Sequence, residues 1–405
     1  MHLFIVHQFP DYDNFVPIII NLKKKVNLNF GIMNIFPVHN LKYYGFDKLL
    51  EKYKIQSISV SELNKKTKLI NFVLNFITIV PSVIIKKLNR VWYYFYHKYI
   101  LFNKMHVIAL IKKNKIKSIN IDYGLPLRYK QIFHSACKEA NIKYNCYLLG
   151  VEMRTGVKFK SENFSLYDHT IIQDQNYTID GTEESKKKFI TIACPRYSLD
   201  WINEVEDSYR YRLKEYSPDV TRRKLKVVIM TRPKYSEKTW QMIYEELKKI
   251  SYIELKIKFK PRGQFRPLHS QKKIINKYNS SELINWADVI VAHSSSVLIE
   301  AIIKNKKILF LNFLDDLEKQ KKINYIFENQ YVVKNINSKE DLIKQIQNLK
   351  MSQTHIINDE KYQKSKQFFL QEIFGNNFFD IDNIYEKSFI NIYSNEKKIF
   401  ISKKY

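Results

Sequence analysis

Residues 285–313, NWADVIVAHSSSVLIEAIIKNKKILFLNF, fit an open parallel sheet and little else. An apolar, β-branched run (288–293) leads into three consecutive serines. A short helical stretch (297–304) follows, and then a second apolar strand (307–313). Buried parallel strands read as continuous apolar runs, and the helix between two of them is the crossover that parallel pairing requires. The same unit directs chemistry. Hydroxyls that end a strand and open a helix stand beside free backbone N–H groups and the positive end of the helix dipole, where an anion is favoured. His293, Ser294, Ser295 and Ser296 occupy this turn. Glu300 lies about one turn further on, in reach of ribose hydroxyls if the serines hold phosphate. The plainer alternative is that Ser296 only caps the helix, which needs no ligand.

The alternation of strand and helix extends over most of the chain. Strand 2–6, helix 15–25 and strand 30–38 make a β-α-β start, continued by helix 48–53 and strand 55–60. Helix 102–113, strand 117–122, helix 129–140 and strand 143–149 come next, then strands 169–173 and 190–194. Residues 217–224 are polar and read as a linker. Strand 225–231 restarts the pattern, followed by helix 237–250, strand 253–259 and helix 340–349. A length of 405 residues suits two domains of roughly 200. The expected division is an α/β domain over 1–216, a second over 225–355, and terminal helices over 356–405.

Ligands of such sheets collect at the carboxyl ends of strands. Asp122 ends one strand, Glu152 follows Gly150 just beyond another, and Asp11 and Asp13 follow the first. Glu152 or Asp122 is the candidate base that deprotonates an acceptor hydroxyl, with Asp13 and Asp11 next in line. The glycine near Glu152 permits close approach of substrate. In the second half, Thr231 and Arg232 end a strand, and the loop 260–269, KPRGQFRPLH, is basic. Lys260 and Arg262 there match a phosphate or pyrophosphate in charge. Lys304 falls on the outer face of its helix, and Asp315-Asp316 reads as surface charge with no metal role.

The formal net charge is +28, carried mostly by lysine. It favours anionic partners such as nucleotide phosphates or an anionic membrane face. Nucleic acid fits poorly, because the aromatics follow strand and helix patterns with no stacking motif on a basic sheet. No P-loop and no G-x-G-x-x-G after a strand occurs. The three cysteines show no metal spacing and suit a reducing compartment. Residues 69–85 are apolar, interrupted by Asn71, Asn75 and Pro81, and flanked by lysines and an aromatic run. They read as a buried helix or, over 65–96, as an interfacial docking segment.

Three stretches together resemble a family. The SSS-x-x-x-EA of 294–301 is similar to the donor-nucleotide motif of GT-B glycosyltransferases. The sequence IACPRYSLDW (192–201) resembles the segment that closes the N-terminal domain in some surface-carbohydrate proteins. LKIKFKPR (255–262) resembles the strand that approaches the nucleotide, with Lys-Pro-Arg where Lys-x-His-Pro is usual. The nearest families are capsule Kdo transferases, CDP-glycerol glycerophosphotransferases and bacterial sialyltransferases. The resemblance implies two Rossmann-like domains facing a cleft, a nucleotide-sugar donor as substrate, no separate cofactor and no metal. It implies a glycan or lipid-linked acceptor, in surface polysaccharide biosynthesis. The corresponding location is cytoplasmic, peripheral at the inner membrane face. CDP-polyol phosphotransfer and non-hydrolysing 2-epimerisation of a sugar nucleotide are the alternatives on the same scaffold.

Overall fold

The computed structural model describes residues 1–7, 9–25, 28–35, 46–59, 103–148, 154, 156–173, 177–192, 194–213, 224–232, 235–259, 278–293, 295–317, 325–327, 330–351, 359–375 and 392. The first half runs β1 (His2–Val6), α1 (Phe9–Lys25), β2 (Phe30–Asn34), α2 (Phe46–Lys52), β3 (Gln56–Ser59), α3 (Lys104–Lys113), β4 (Ser118–Asp122), α4 (Leu127–Glu139) and β5 (Lys143–Leu148). It continues with β6 (Val157–Lys160), β7 (His169–Ile172), β8 (Tyr177–Asp180), α5 (Glu183–Lys186) and β9 (Phe189–Thr191). Seven of these strands form one parallel sheet in the order β3-β2-β1-β4-β5-β7-β9, while β6 and β8 pair as a separate ribbon.

Both faces of this sheet are covered, as parallel pairing demands. Leu3 and Ile5 of β1 pack with α3 and α4, whereas Phe4 and Val6 pack with Phe15, Val16 and Ile19 of α1. One face is not purely apolar. His2 Nδ1 and Ser118 Oγ lie 2.8 Å apart, and the Asn120 amide donates to Ser118 Oγ. Asn145 Nδ2 donates to Asn120 Oδ1 at 3.0 Å, and His169 Nδ1 sits 3.2 Å from Asn145 Oδ1. The result is a hydrogen-bonded row across four strands.

The second half has the sheet β11-β10-β12-β13-β14, also parallel. Its strands are β10 (Leu225–Met230), β11 (Ile253–Lys258), β12 (Val289–Ala292), β13 (Lys307–Leu311) and β14 (Lys334–Ile336). The helices are α7 (Glu237–Lys248), α8 (Ser280–Trp286), α9 (Val297–Ile303), α10 (Leu314–Leu317) and α11 (Lys339–Met351). Val228 and Met230 face one core; Leu225, Val227 and Ile229 face the other. Between the halves lies α6 (Leu199–Leu213); α12 (Glu360–Phe374) closes the described chain apart from Ile392. Helix α12 packs on the second half, but Ile392 is buried in the first.

Several expected boundaries shift. Helix α1 opens at Phe9, six residues before the expected start at residue 15, and tolerates Pro17 within it. Asp11 lies in its first turn, where a carboxylate complements the helix dipole. Strand β2 ends at Asn34, short of residue 38. Helix α8 was not expected; Asn279 and Glu282 form a reciprocal capping box at its start. The ribbon β6–β8 and strand β14 were also missed. Residues 65–96 lie outside the described residues, apart from which no described helix is long and apolar enough to cross a membrane.

Candidate functional site

Each sheet has a switch point, where successive strands depart in opposite directions and ligands bind at the strand ends. In the first sheet it lies between β1 and β4; in the second, between β10 and β12.

At the first switch point the chain leaves β1 at His7 and β4 ends at Asp122. The His7 backbone N–H donates to Asp11 Oδ2 at 2.9 Å, and His7 Nδ1 lies 2.8 Å from the same oxygen. Asp122 Oδ2 is 3.8 Å from His7 Nδ1. Asp11 is fully buried and Asp122 is 5% exposed, so two carboxylates share a dry corner with one imidazole. Burial, and then the charge of Asp11, push the Asp122 carboxyl up to about 6. The Gly124 N–H, His7 and Lys130 pull the other way. A carboxyl tuned to this range suits proton transfer near neutral pH. The donor atoms of His7, Asp11 and Asp122 all lie within 4.8 Å of one another, a spacing that also suits a cation.

At the second switch point β10 runs into Thr231 and Arg232, and β12 into His293. Arg232 Nη1 donates to Tyr325 Oη at 2.9 Å, and its guanidinium sits 5.2 Å from the Tyr325 ring centre. His293 is 1% exposed, stacked on Phe310 and edge-on to Tyr325. The Tyr235 hydroxyl donates to Asp315 Oδ1 at 2.6 Å and lies 3.0 Å from His293 Nδ1. Burial and the bond to Asp315 raise the Tyr235 phenol far above its usual range, so it stays protonated. Ser296 starts α9 without a side-chain capping bond; the turn is closed by backbone bonds from Leu298 to Ser295 and from Ile299 to Ser296. Capping therefore does not account for the Ser296 hydroxyl.

The segment Cys194–Ser198 joins the two clusters. Arg196 Nη2 pairs with Asp13 Oδ2 at 2.7 Å, two residues beyond Asp11 in α1. The neighbouring Tyr197 hydroxyl donates to the Ser296 carbonyl at 3.0 Å. Trp201 stacks on Phe46 in the first core, while Ile202 belongs to the second. Adjacent side chains thus grip opposite halves.

No family profile and no curated protein matches the sequence. Solved structures do match in shape. The wall teichoic acid polymerase TagF, in an H444N variant soaked with CDPG, shares 13% identity over 98% of this chain and 90% of its own, with a TM-score of 0.52. A second TagF structure gives 14% identity over the same shares and the same TM-score. The MnaA–UDP structure from S. aureus covers 99% of this chain and all of its own at 12% identity, with a TM-score of 0.47. The chain has the GT-B fold.

Within that GT-B frame the expected residues divide. Asp122 lies at the first switch point with His7 and Asp11, which sequence reasoning ranked lower or left out. Asp13 stands beside it, held by Arg196. Glu152, Lys260, Arg262 and Ser294 lie outside the described residues. Thr231, Arg232, His293, Ser295 and Ser296 gather at the second switch point. Thr231 is buried, its N–H donating to the Lys258 carbonyl. Glu300 is 7% exposed, and its Oε1 lies 3.2 Å from Lys304.

Two expectations are corrected. Lys304 is not on an outer face: it reaches Glu206 of α6, Glu300 and Asn285, and its side chain is only 10% exposed. Asp315 is not surface charge: it is 4% exposed and bound by Tyr235, whereas Asp316 is exposed as expected. Tyr235 and Tyr325 carried no sequence signal beyond being two of 28 tyrosines.

Proposed function

We propose that this protein is a glycosyltransferase that moves a sugar from a nucleotide-activated donor to a hydroxyl of a glycan or lipid-linked acceptor in surface polysaccharide biosynthesis. What carries the reading is the division of labour between the two switch points, a titratable carboxyl on one and anion-binding groups on the other, coupled by Arg196 and Tyr197. Asp122 takes the acceptor proton as the acceptor oxygen bonds to the anomeric carbon, with His7 and Asp11 holding it in place. The bond from that carbon to the donor phosphate breaks. Arg232 and the Ser295 and Ser296 hydroxyls then stabilise the charge that collects on the leaving nucleotide. Glu152 remains the rival base. The nucleotide sugar is a substrate, and neither a resident cofactor nor a metal is part of the scheme.

The test is incubation with CMP-, CDP-, UDP- and GDP-activated donors and chromatography of the released nucleotide, after thermal-shift screening for the nucleotide that stabilises the fold. No stabilisation by any nucleotide and no release from any donor would sink the reading. The likeness to TagF favours a second reading, phosphopolyol transfer from a CDP donor. It is told apart by its products: CMP with a new phosphodiester, rather than a new glycosidic bond. We place the reaction at the cytoplasmic face of the membrane, with residues 65–96 as the docking segment. Pelleting with anionic vesicles at low salt and release at high salt would support that placement.

A further inference from the structure

Tyr325 touches both Arg232 and His293 at the second switch point and also reaches the first half of the chain. Its hydroxyl accepts the Arg232 Nη1 hydrogen at 2.9 Å, and its ring lies under the guanidinium. The ring edge contacts His293, with centroids 5.1 Å apart at 89°. Its backbone forms an antiparallel bridge with Arg154, which belongs to the first half. Tyr325 is 2% exposed, so these contacts leave it little freedom.

We infer that Tyr325 is the positioning residue for Arg232, fixing its guanidinium toward the phosphates of a nucleotide bound at the second switch point. This rests on the donor-nucleotide reading above and adds to it how that site is ordered. A long arginine side chain carries rotamer entropy, which binding must remove unless the chain is already held. Among the described residues, one hydrogen bond and one ring face do that holding, and both come from Tyr325. Tyr325 is itself held in the core of the second half, and its backbone is bridged to Arg154. Arg232 touches the phosphate; Tyr325 acts through Arg232.

Tyr325→Phe removes the hydroxyl and keeps the ring, its packing and its edge contact with His293. The probe is whichever of CMP, CDP, UDP or GDP most stabilises the unaltered protein. Titration calorimetry is expected to show roughly tenfold weaker binding in Tyr325→Phe, on the scale of one hydrogen bond to a charged group. The midpoint of thermal unfolding without nucleotide should hold. In Arg232→Ala, adding Tyr325→Phe should cost nothing further, because the group it positions is gone. A purely structural tyrosine would lower the midpoint, and its loss would add in full to that of Arg232→Ala. Unchanged affinity in Tyr325→Phe, or additive losses in the pair, would overturn the inference. Failure of every nucleotide to bind the unaltered protein would overturn the donor-site reading itself, and is seen before any variant is compared.

Discussion

The crest of the first sheet gathers two carboxylates round an imidazole; the crest of the second gathers hydroxyls, a guanidinium and a buried histidine. Both are built the same way, at the switch point of a parallel sheet covered on two faces. What differs is which side chains follow the strands, and so which charge each corner tolerates. A dry corner with Asp11 and Asp122 holds one negative charge too many, and a proton on Asp122 relieves it near pH 6. The opposite corner carries the Arg232 guanidinium beside Tyr325, and its Asp315 carboxylate is bound by Tyr235. The pair teaches that one scaffold presents acids at one corner and a cation at the other by changing only what stands at the strand ends.

The largest effect that would break this contrast is at Asp122. Asp122→Asn keeps the shape of the side chain but cannot accept a proton. Steady-state transfer assays should show at least about a hundredfold loss in turnover, with nucleotide affinity held. If Glu152→Gln is dead instead and Asp122→Asn is active, the base lies after β5 and the first corner is structural.

Next in size is the serine turn. Ser295→Ala combined with Ser296→Ala should weaken nucleotide binding by about 1–3 kcal/mol. Thermal stability should stay put, since the Ser296 side chain makes no capping bond to α9. An unaltered calorimetric affinity would remove the serines from the donor site.

The pH dependence follows in order. The folded-state value of Asp122 is raised above the usual carboxylate value of 3.8 to about 6. Its contribution to stability is therefore complete at low pH and is lost as pH rises through about 6. Asp122→Asn should raise stability at pH 7.5 by on the order of 1–3 kcal/mol, and should do so far less at pH 4. Transfer runs the other way, falling as pH drops below about 6. Melting curves and rate profiles that show neither trend would mean that water reaches the corner despite the burial of Asp11 and Asp122.

Smallest of all is the expected response to a chelator. The spacing of His7, Asp11 and Asp122 would accept a cation, but the scheme needs none. Transfer should be unchanged in EDTA. Its loss, restored by a divalent ion, would turn the first corner from a proton site into a metal site.

The strands were largely legible because a strand buried on both faces is mostly apolar. Val289–Ala292 and Leu225–Met230 stand out for that reason. Strand β14, Lys-Asn-Ile at the sheet edge, has no such signature, and neither has the half-exposed ribbon of β6 and β8. The serine turn was legible from its position between strand and helix. Tyr325 was not, because what makes it matter is a neighbour 93 residues away, Arg232. Asp315 was misread because a buried acid and an exposed one look alike until the partner hydroxyl of Tyr235 is placed. Lys304 was misread because helix α6, which covers it, arrives from the segment between the halves.

The row His2, Ser118, Asn120, Asn145 and His169 bears on how the molecule is assembled. His2 pairs in register with Ser118, Asn120 with Asn145, and Asn145 with His169. Apolar strands can slide along one another by two residues with the same faces still buried; this row cannot. A slip would strand buried amide, hydroxyl and imidazole groups, at about 1–3 kcal/mol each. The row is a ruler laid across the sheet. It rejects a misaligned β1, whose hydrogen-bonded neighbour lies 116 residues further along the chain, and so guards the slowest kind of pairing a nascent protein has to make.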